Sequence, residues 1–589
     1  MVNLISPGIQ VTETDNTIVP PSVSTTVGGT VGTFVWGAVN QPRLINSENE
    51  LVSVFGKPDD ETAVSFFTAS NFLSYSSSLY VVRMVGTDAA NASSSVTQTF
   101  SGDGSQTAFN LGFTPVSLNS ITVKVGGTIQ EPTDDYTLTG AVITFISAPA
   151  SGTDNITVEE KQIIDNDEVF EALTSLPSSV YAKYPGKLGN SLKVILADST
   201  SYDTLSTSDK ALFTAAPENN EIHFGVIDSS GEFTGVAGTL LEKKEFLSKT
   251  VGSQSINGEI AYYKEWINRN SRYVYSTGSL SDVSTGSIIL SNGVSDNNAT
   301  DTILQSGYDN FLQKERYNIS LIATGGASSV VSTYALQTIA SVRKDTVCCI
   351  SPELDDVLNA SGQETTNIID YRTPLGSSSY GFMDCNWKYQ FDVYNDVNRW
   401  IPLNGDIAGI IARSDRLTDP WISPAGYNRG VIKNVIKLAW NPTESERDIL
   451  YNSGINPVIT ESGRGSVLFG DKTLLTRPSS FDRINVRRLF IVMEKAISEA
   501  SRFVLFEPND EFTRASFRNI VTPFLRNIQG SRGISDFRVV ADSSNNTSDV
   551  INRNEFIADI AVKPIRSINF IRLNFVSTRE GVSFEEIGV

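Results

Sequence analysis

Residues 567–577 read Ser567-Ile-Asn-Phe-Ile-Arg-Leu-Asn-Phe-Val-Ser577. Ile571, Leu573 and Phe575 alternate with Arg572, Asn574 and Val576, setting an apolar face against a mostly polar one. Period two over at least five residues marks a half-buried strand. A strand at a chain end pairs within its own domain or with a neighbour, and that choice decides how the whole chain is organised. The other end carries a matching arm over residues 1–20, where Ile9 and Val11 alternate with Gln10 and Thr12. So short a strand is not stable alone and must join a sheet elsewhere.

Upstream of the C-terminal strand, Val486, Leu489, Phe490, Met493, Ala496, Ile497, Ala500, Phe503 and Val504 follow i, i+3/i+4, i+7 spacing. This predicts an amphipathic helix over about 485–505. Its other side carries Arg487, Arg488, Lys495, Glu499 and Arg502. Two readings stay open for Arg487, Arg488 and Lys495: the solvated face of a core helix, or contacts to a partner.

The chain has 589 residues, more than one core accommodates, so roughly three or four domains are expected. An apolar fraction of 40% and a charged fraction of 19% place it among folded proteins. No apolar run approaches the ~18 residues of a membrane span. The start, Met-Val-Asn-Leu-Ile-Ser-Pro-Gly8, lacks the regions of a secretory signal, which predicts synthesis and use in a cytoplasm. Cys348 and Cys349 are adjacent and Cys385 stands apart, so neither a disulfide framework nor a zinc ribbon is expected. The net charge of −20 argues against direct binding of nucleic acid. Residues 479–589 hold 15 Lys and Arg against 14 Asp and Glu, so the first 478 residues carry the acidic excess. Thirteen of those 15 cations are Arg, the residue suited to fixed ion pairs and interfaces.

In chain order, residues 22–90 read as a small α/β unit. Thr26–Val35 and Leu79–Val85 are strand-like, Phe66–Leu73 is helical, and Ser47 caps a short helix with Glu50 at capping-box spacing. From Gln98 to about Glu160 short alternating strands and turns dominate, including Ile121–Val125 before Gly126-Gly127, a tight-hairpin dipeptide. This reads as an inserted β-sandwich-like module. Residues 165–340 resume α/β character. Leu192–Leu196 and Ile222–Ile227 are strands, helices are expected at Glu168–Leu176, Thr239–Leu247 and Gly258–Asn268, and 276–302 reads as a long surface loop. Asp345–Ile350 is one further strand. The expected fold class is multi-domain α+β and α/β, built from nested insertion domains, with an inner α/β domain formed by both termini. The inner unit comprises 1–20 with 411–589, and a middle unit comprises 21–90 with 341–410. An outer unit comprises 91–97 with 165–340, and the β surface module spans 98–164.

Catalytic chemistry is hard to assemble. The single histidine, His223, lies in an apolar strand, and no Gly-x-Ser-x-Gly elbow or phosphate-cradling loop is present. Asp59-Asp60 and Asp134-Asp135 flank Pro or a turn and read as solvated pairs. No catalytic, cofactor-binding or metal-binding residue is therefore nominated, although an all-carboxylate Mg²⁺ or Ca²⁺ site stays open.

Several segments carry a family resemblance. They are Ala182-Lys-Tyr-Pro-Gly186, Val226–Glu242, Asp419-Pro-Trp-Ile-Ser-Pro-Ala-Gly426, Leu438-Ala-Trp440, Glu446-Arg-Asp448, Gly454-Ile-Asn-Pro457, Phe481–Phe490, Phe506-Glu-Pro-Asn509 and Ser6-Pro-Gly8. In order and spread they resemble the contractile tail sheath proteins of T4-like bacteriophages, over most of the chain outside the module. The module, with Gly102-Asp-Gly-Ser105, Asp135-Tyr136 and Ala148-Pro149, resembles β-modules that recur on phage virion proteins. The resemblance implies a non-enzymatic subunit of the virion tail, assembled in the host bacterial cytoplasm, without cofactor or membrane insertion. Such subunits stack as homo-hexameric rings around a tail tube, meet baseplate and tail terminator proteins, and contract from a metastable extended form. It further implies that the arms, represented by Ile9, Val11, Ile571, Leu573 and Phe575, add strands to a neighbour's sheet. Arg487, Arg488 and Lys495 then become candidates for tube or neighbour contacts. Rival readings are the sheath of a bacteriocin-like or secretion-type injection machine, a surface adhesin, and a carboxylate-metal enzyme.

Overall fold

The computed structural model describes residues 25–569 apart from 95–96, 116–117, 174–175, 177, 278–284, 361 and 462. Its centre is a seven-stranded sheet. Gly28–Thr33 (β1), Arg43–Ile45 (β2), Leu79–Met84 (β3), Leu321–Ala323 (β4), Val347–Ile350 (β5), Gly381–Asp384 (β6) and Ile455–Asn456 (β7) run in the order β2-β3-β1-β4-β5-β6-β7. All pairings are parallel except β2 with β3. The order reverses between β1 and β4, the mark of a doubly wound sheet with cores on both faces. Adjacent residues accordingly face opposite cores. Val81, Leu321, Val347, Cys349 and Phe382 meet the helices Ala63–Leu73 (α1) and Asn404–Leu417 (α2), while Val82, Ile322, Cys348 and Met383 meet Tyr308, Leu336 and Ile368. The neighbouring thiols thus point away from each other; all three cysteines are free and buried, and burial pushes the Cys349 thiol up to about 12.

Helix α2 lies hard against α1 because Gly405 and Gly409, one turn apart, have no side chain there. A Cβ on Gly405 would stand 2.4 Å from the Thr68 carbonyl oxygen, and one on Gly409 2.6 Å from the Tyr75 ring. The sheet also redraws the expected boundaries. Leu321–Ala323, expected in the outer unit, is its fourth strand, and Ile455–Asn456, expected in the inner unit, is its edge. Each strand is too short to announce its partners, and long-range pairing decides membership.

The outer part centres on a four-stranded sheet of Thr239–Ser248, Glu221–Asp228, Leu192–Asp198 and Gly286–Ile289, in that order. Two expectations fail here. Thr239–Leu247 is not a helix, although its Leu, Glu and Lys favour one; it pairs antiparallel with 221–228 through two register shifts, and tertiary pairing overrides propensity. Residues 276–302 are not all loop, since Gly286–Ile289 pairs with Lys193–Leu196. His223 is buried in this sheet, its ring stacked on Phe213, with Nε2 2.8 Å from the Ala215 carbonyl and Nδ1 accepting the Phe246 N–H.

The module is a two-sheet β structure. Thr97–Gly102, Gly152–Glu160, Ile121–Val125 and Thr128–Ile129 form one sheet, and Ala108–Asn110, Val142–Phe145 and Tyr136–Thr139 the other. Its own core includes Phe109, Val123, Tyr136, Ile143 and Ile156. Gly126 and Gly127, at φ +59 and +84, close the two-residue hairpin in which Val125 faces Thr128. At the module's root, buried Asn91 accepts the Ile164 N–H and donates to the carbonyls of Ile164 and Ala182. Ser47 caps its helix as expected, while the Glu50 carboxylate accepts the Asn46 N–H, one residue before the cap.

Beyond the helix Glu444–Asn452 (α3), the last described part contains Ile484–Ser501 (α4), Glu511–Gly530 (α5) and an antiparallel hairpin of Ile534–Val540 (β8) and Asp559–Pro564 (β9). Leu489, Met493, Phe517, Val521, Leu525, Ile528 and Ile534 form its core.

Candidate assembly site

The hairpin is the one sheet of this C-terminal part among the described residues. Phe537, Val539, Ile560 and Val562 pack inward with α5, and Asp536, Arg538, Asp559 and Lys563 point outward, with Lys563 Nζ 2.9 Å from Asp536. Neither strand has a third partner among the described residues. Among the described residues, then, neither outer edge is taken up by a further strand, although the Ser535 and Val540 carbonyls of β8 accept from the side chains of Gln529 and Asn545, and both edges can act as a template for an added strand.

Directly after β9 the chain enters a groove of about 940 Å³, lined among others by Trp421, Arg447, Tyr451, Asp471, Arg532 and Ile568. Three of the sequence segments, 419–426, 446–448 and 454–457, converge on it. The Trp421 indole donates to the Ser531 carbonyl at 3.0 Å, and the Ile565 N–H to the Gly533 carbonyl at 3.1 Å. At the bottom sits the Asp471 carboxylate, 2% exposed. It accepts from Ser567 Oγ (2.6 Å), Asn569 Nδ2 (2.9 Å), Ser423 Oγ (3.1 Å) and the Tyr451 hydroxyl (3.2 Å), and Arg483 Nε lies 3.5 Å away. Burial, and next the Asp471 charge, push the Tyr451 phenol up to about 12.

Arg488 holds the other end of the described chain. Its guanidinium donates to the Thr25 carbonyl at 3.0 Å and is paired with the Asp415 carboxylate of α2. Burial raises the Asp415 carboxyl to about 6, with Arg488 acting in the opposite direction. The predicted helix is present, but Arg487 and Arg488 are not on a solvated face; both are buried. The first turns of α4 bridge two cores, with Ile484 and Ile491 toward the central sheet and Leu489 and Met493 toward α5, so no side stays open. Arg487 lies over the rings of Phe481 and Tyr380 and pairs with Glu494 at 3.5 Å. Lys495, half-buried, donates to the Asn318 side chain. Exposed apolar groups stand instead on the connection from α4 to α5 and at the start of α5: Phe503, Leu505, Phe506 and Phe512, with Phe506 fully exposed. Ile9, Val11, Ile571, Leu573 and Phe575 lie outside the described residues.

The crevice at the carboxyl ends of the central strands, where doubly wound sheets commonly take ligands, is filled by the chain itself. Asn404 donates to the Gly325 carbonyl (2.7 Å) and accepts its N–H (3.0 Å), and its own N–H donates to Ser351 Oγ (2.9 Å). Ser351 in turn donates to Asp384 at 2.7 Å. Arg83 closes the β1 side by donating to the carbonyls of Phe34, Gly37 and Pro185, each at 2.7 Å; burial lowers this guanidinium to about 9. Among the described residues no three His, Cys, Asp or Glu side chains converge as a metal site, and no helix is long and apolar enough to cross a membrane. Sequence reasoning missed Asp471 and Asp415. A lone acid between Gly470 and Lys472 carries no pattern, and its five side-chain partners come from four separate segments.

Residues 25–84 match the family profile described as tail sheath protein Gp18 domain III N-terminal region. Residues 297–474 match the phage tail sheath protein central domain, and 476–578 the phage tail sheath C-terminal domain. The boundary at 297 agrees with the presence of β4 in the central sheet. The chain is 34% identical to the tail sheath protein of Vibrio phage KVP40, covering all of both chains. It is 33% identical to that of Enterobacteria phage T4, over all of this chain and 99% of the relative. Among solved structures, a sheath tail protein from Listeria innocua aligns with a TM-score of 0.51 at 13% identity, over 94% of each chain. Another from Desulfitobacterium hafniense gives 0.50 at 11%, over 95% of this chain and all of the other. These two likenesses concern the fold. Identity at this level over full length decides the family: the chain belongs to the phage tail sheath proteins.

Proposed function

We propose that this chain is the structural subunit of a contractile phage tail sheath. In this reading it stacks as hexameric rings around a tail tube, is held in an extended metastable state, and contracts to drive the tube through the host envelope. The observation that carries the reading is the open hairpin β8–β9 beside the groove from which the C-terminal segment departs. Strand addition to such an edge satisfies backbone groups with little demand on side chains. Each bond contributes ~1 kcal/mol net, so several per arm, repeated over many subunits, make a durable mesh. Residues 1–20 and 570–589 supply the arms, with Ile9, Val11, Ile571, Leu573 and Phe575 on their apolar faces. A contact that does not close on itself gives the helical assembly a sheath requires.

Contact with the tail tube is assigned to the exposed apolar groups from Phe503 to Phe512 and to half-buried Lys495, because Arg487 and Arg488 are buried as well as paired within the chain. Baseplate and tail terminator proteins would bind the two ends of the sheath, in a virion tail assembled in the host cytoplasm. No catalysis is assigned: the crevice of the doubly wound sheet is filled and its polar groups are used internally. The nested arrangement follows from the same reading, with the module as a surface insertion and the outer sheet inserted between β3 and β4 of the central one. Electron microscopy of the purified chain tests the proposal. Helical tubes of stacked six-fold rings are the expected result; a chain that stays dispersed under all assembly conditions contradicts it.

A further inference from the structure

We infer that the first two turns of α4 are the common root of both chain termini, with Asp471 and Asp415 as positioning residues that fix where each arm leaves the body. The inference rests on reading residues 1–20 and 570–589 as arms. On the C-terminal side, Asp471 accepts from Ser567 and Asn569, the last described residues with side-chain bonds. Its segment is locked to the start of α4: the Ile484 N–H donates to the Asp471 carbonyl (2.9 Å), the Thr473 N–H to that of Asp482 (3.0 Å), and Arg483 faces the carboxylate. On the N-terminal side, Arg488 of the same helix holds the Thr25 carbonyl and is itself held by Asp415 from α2. Arg483 and Arg488 are five residues apart, about 8 Å along a helix axis.

Both grips are charge-assisted and anchored on buried side chains, Asp471 and Arg488, so they are stronger than neutral hydrogen bonds. The helix between them is packed on two cores and cannot stretch. Tension on one arm therefore reaches the other through a short rigid element, and the spacing of the two departure points stays constant while subunits turn against each other. A loosely tethered tail would absorb that tension in its own slack.

Spin labels at Thr26→Cys and Ile568→Cys test this in the dispersed subunit, since the three native cysteines are buried and Ile568 is 83% exposed. Pulsed distance measurement should give one narrow distribution. Asp471→Ala should make it about twofold broader, as a released segment samples more positions. The pair Ser567→Ala with Asn569→Ala, which leaves every body partner of Asp471 in place, should do the same in a chain whose unfolding midpoint is unchanged. A distribution as narrow as the parent's in that folded double variant overturns the inference. Because no assembly is needed, the outcome is separable from the arm reading: a chain lacking 570–589 that still forms normal tubes would defeat the arms and leave the root distance standing.

Discussion

The central sheet and the C-terminal hairpin differ in how much of their surface the rest of the chain covers. The central sheet has seven strands, helices on both faces, and a crevice filled by Asn404, Ser351 and Asp384. The hairpin has two strands, one covered face and, among the described residues, two bare edges. A sheet covered on both faces, with the polar groups of its crevice satisfied within the chain, contributes stability to its own chain. One that leaves groups unused contributes stability to an assembly. The same distinction separates the side chains around α4, where Arg487 and Arg488 are consumed at home and Phe506 is not.

Substitutions in the two regions should therefore separate subunit stability from assembly. Truncating a fully buried ring of the central sheet, Phe382→Ala, should cost the isolated subunit about 3–5 kcal/mol, read by chemical denaturation. A loss under ~1 kcal/mol would show that this sheet is not the main source of stability. Next comes a pH effect. Burial raises the Asp384 carboxyl from 3.8 to about 7, in a site whose bonds from Ser351 and Asn386 pull the other way. The folded chain keeps this proton up to about pH 7, whereas the unfolded chain sheds it near the ordinary value. Its contribution is thus fully present below that ordinary value and is lost as pH rises through about 7. Asp384→Asn should remove that slope, making the variant's stability relative to the parent rise by roughly 2–4 kcal/mol between pH 4 and pH 8. Parallel pH profiles would contradict the assignment. Smaller still is the effect of the exposed connection: Phe506→Asp should alter subunit stability by under ~0.5 kcal/mol yet reduce tube assembly, seen by sedimentation. Deleting 98–160 should leave both the central sheet's unfolding midpoint and assembly in place, because the module has its own core. A chain that no longer folds would show the module to be part of the body.

How much of this was legible beforehand depends on the range of the deciding contacts. The Ile484–Ser501 helix and the Val347–Ile350 strand follow from local periodicity and are present at nearly the expected bounds. The strand Thr239–Ser248 was not legible, because its pairing with 221–228 outweighs a helical composition. Leu321–Ala323 and Ile455–Asn456 were misplaced for a related reason: three- and two-residue strands are defined by neighbours far away in sequence. The helix period found the apolar stripe of α4 but not the second core behind Arg487 and Arg488. Asp471 had no sequence signal at all. The terminal strands expected around Ile9 and Ile571 lie outside the described residues, and the geometry bears on them only through the places where the chain leaves the body.

The most direct test of the account is therefore assembly of a chain ending at Asn569, compared with the full chain by negative-stain electron microscopy at equal concentration. The shortened subunit should unfold at the same denaturant midpoint and remain dispersed, or form only isolated rings. Long tubes indistinguishable from those of the full chain would contradict the claim that the C-terminal arm joins one subunit to the next.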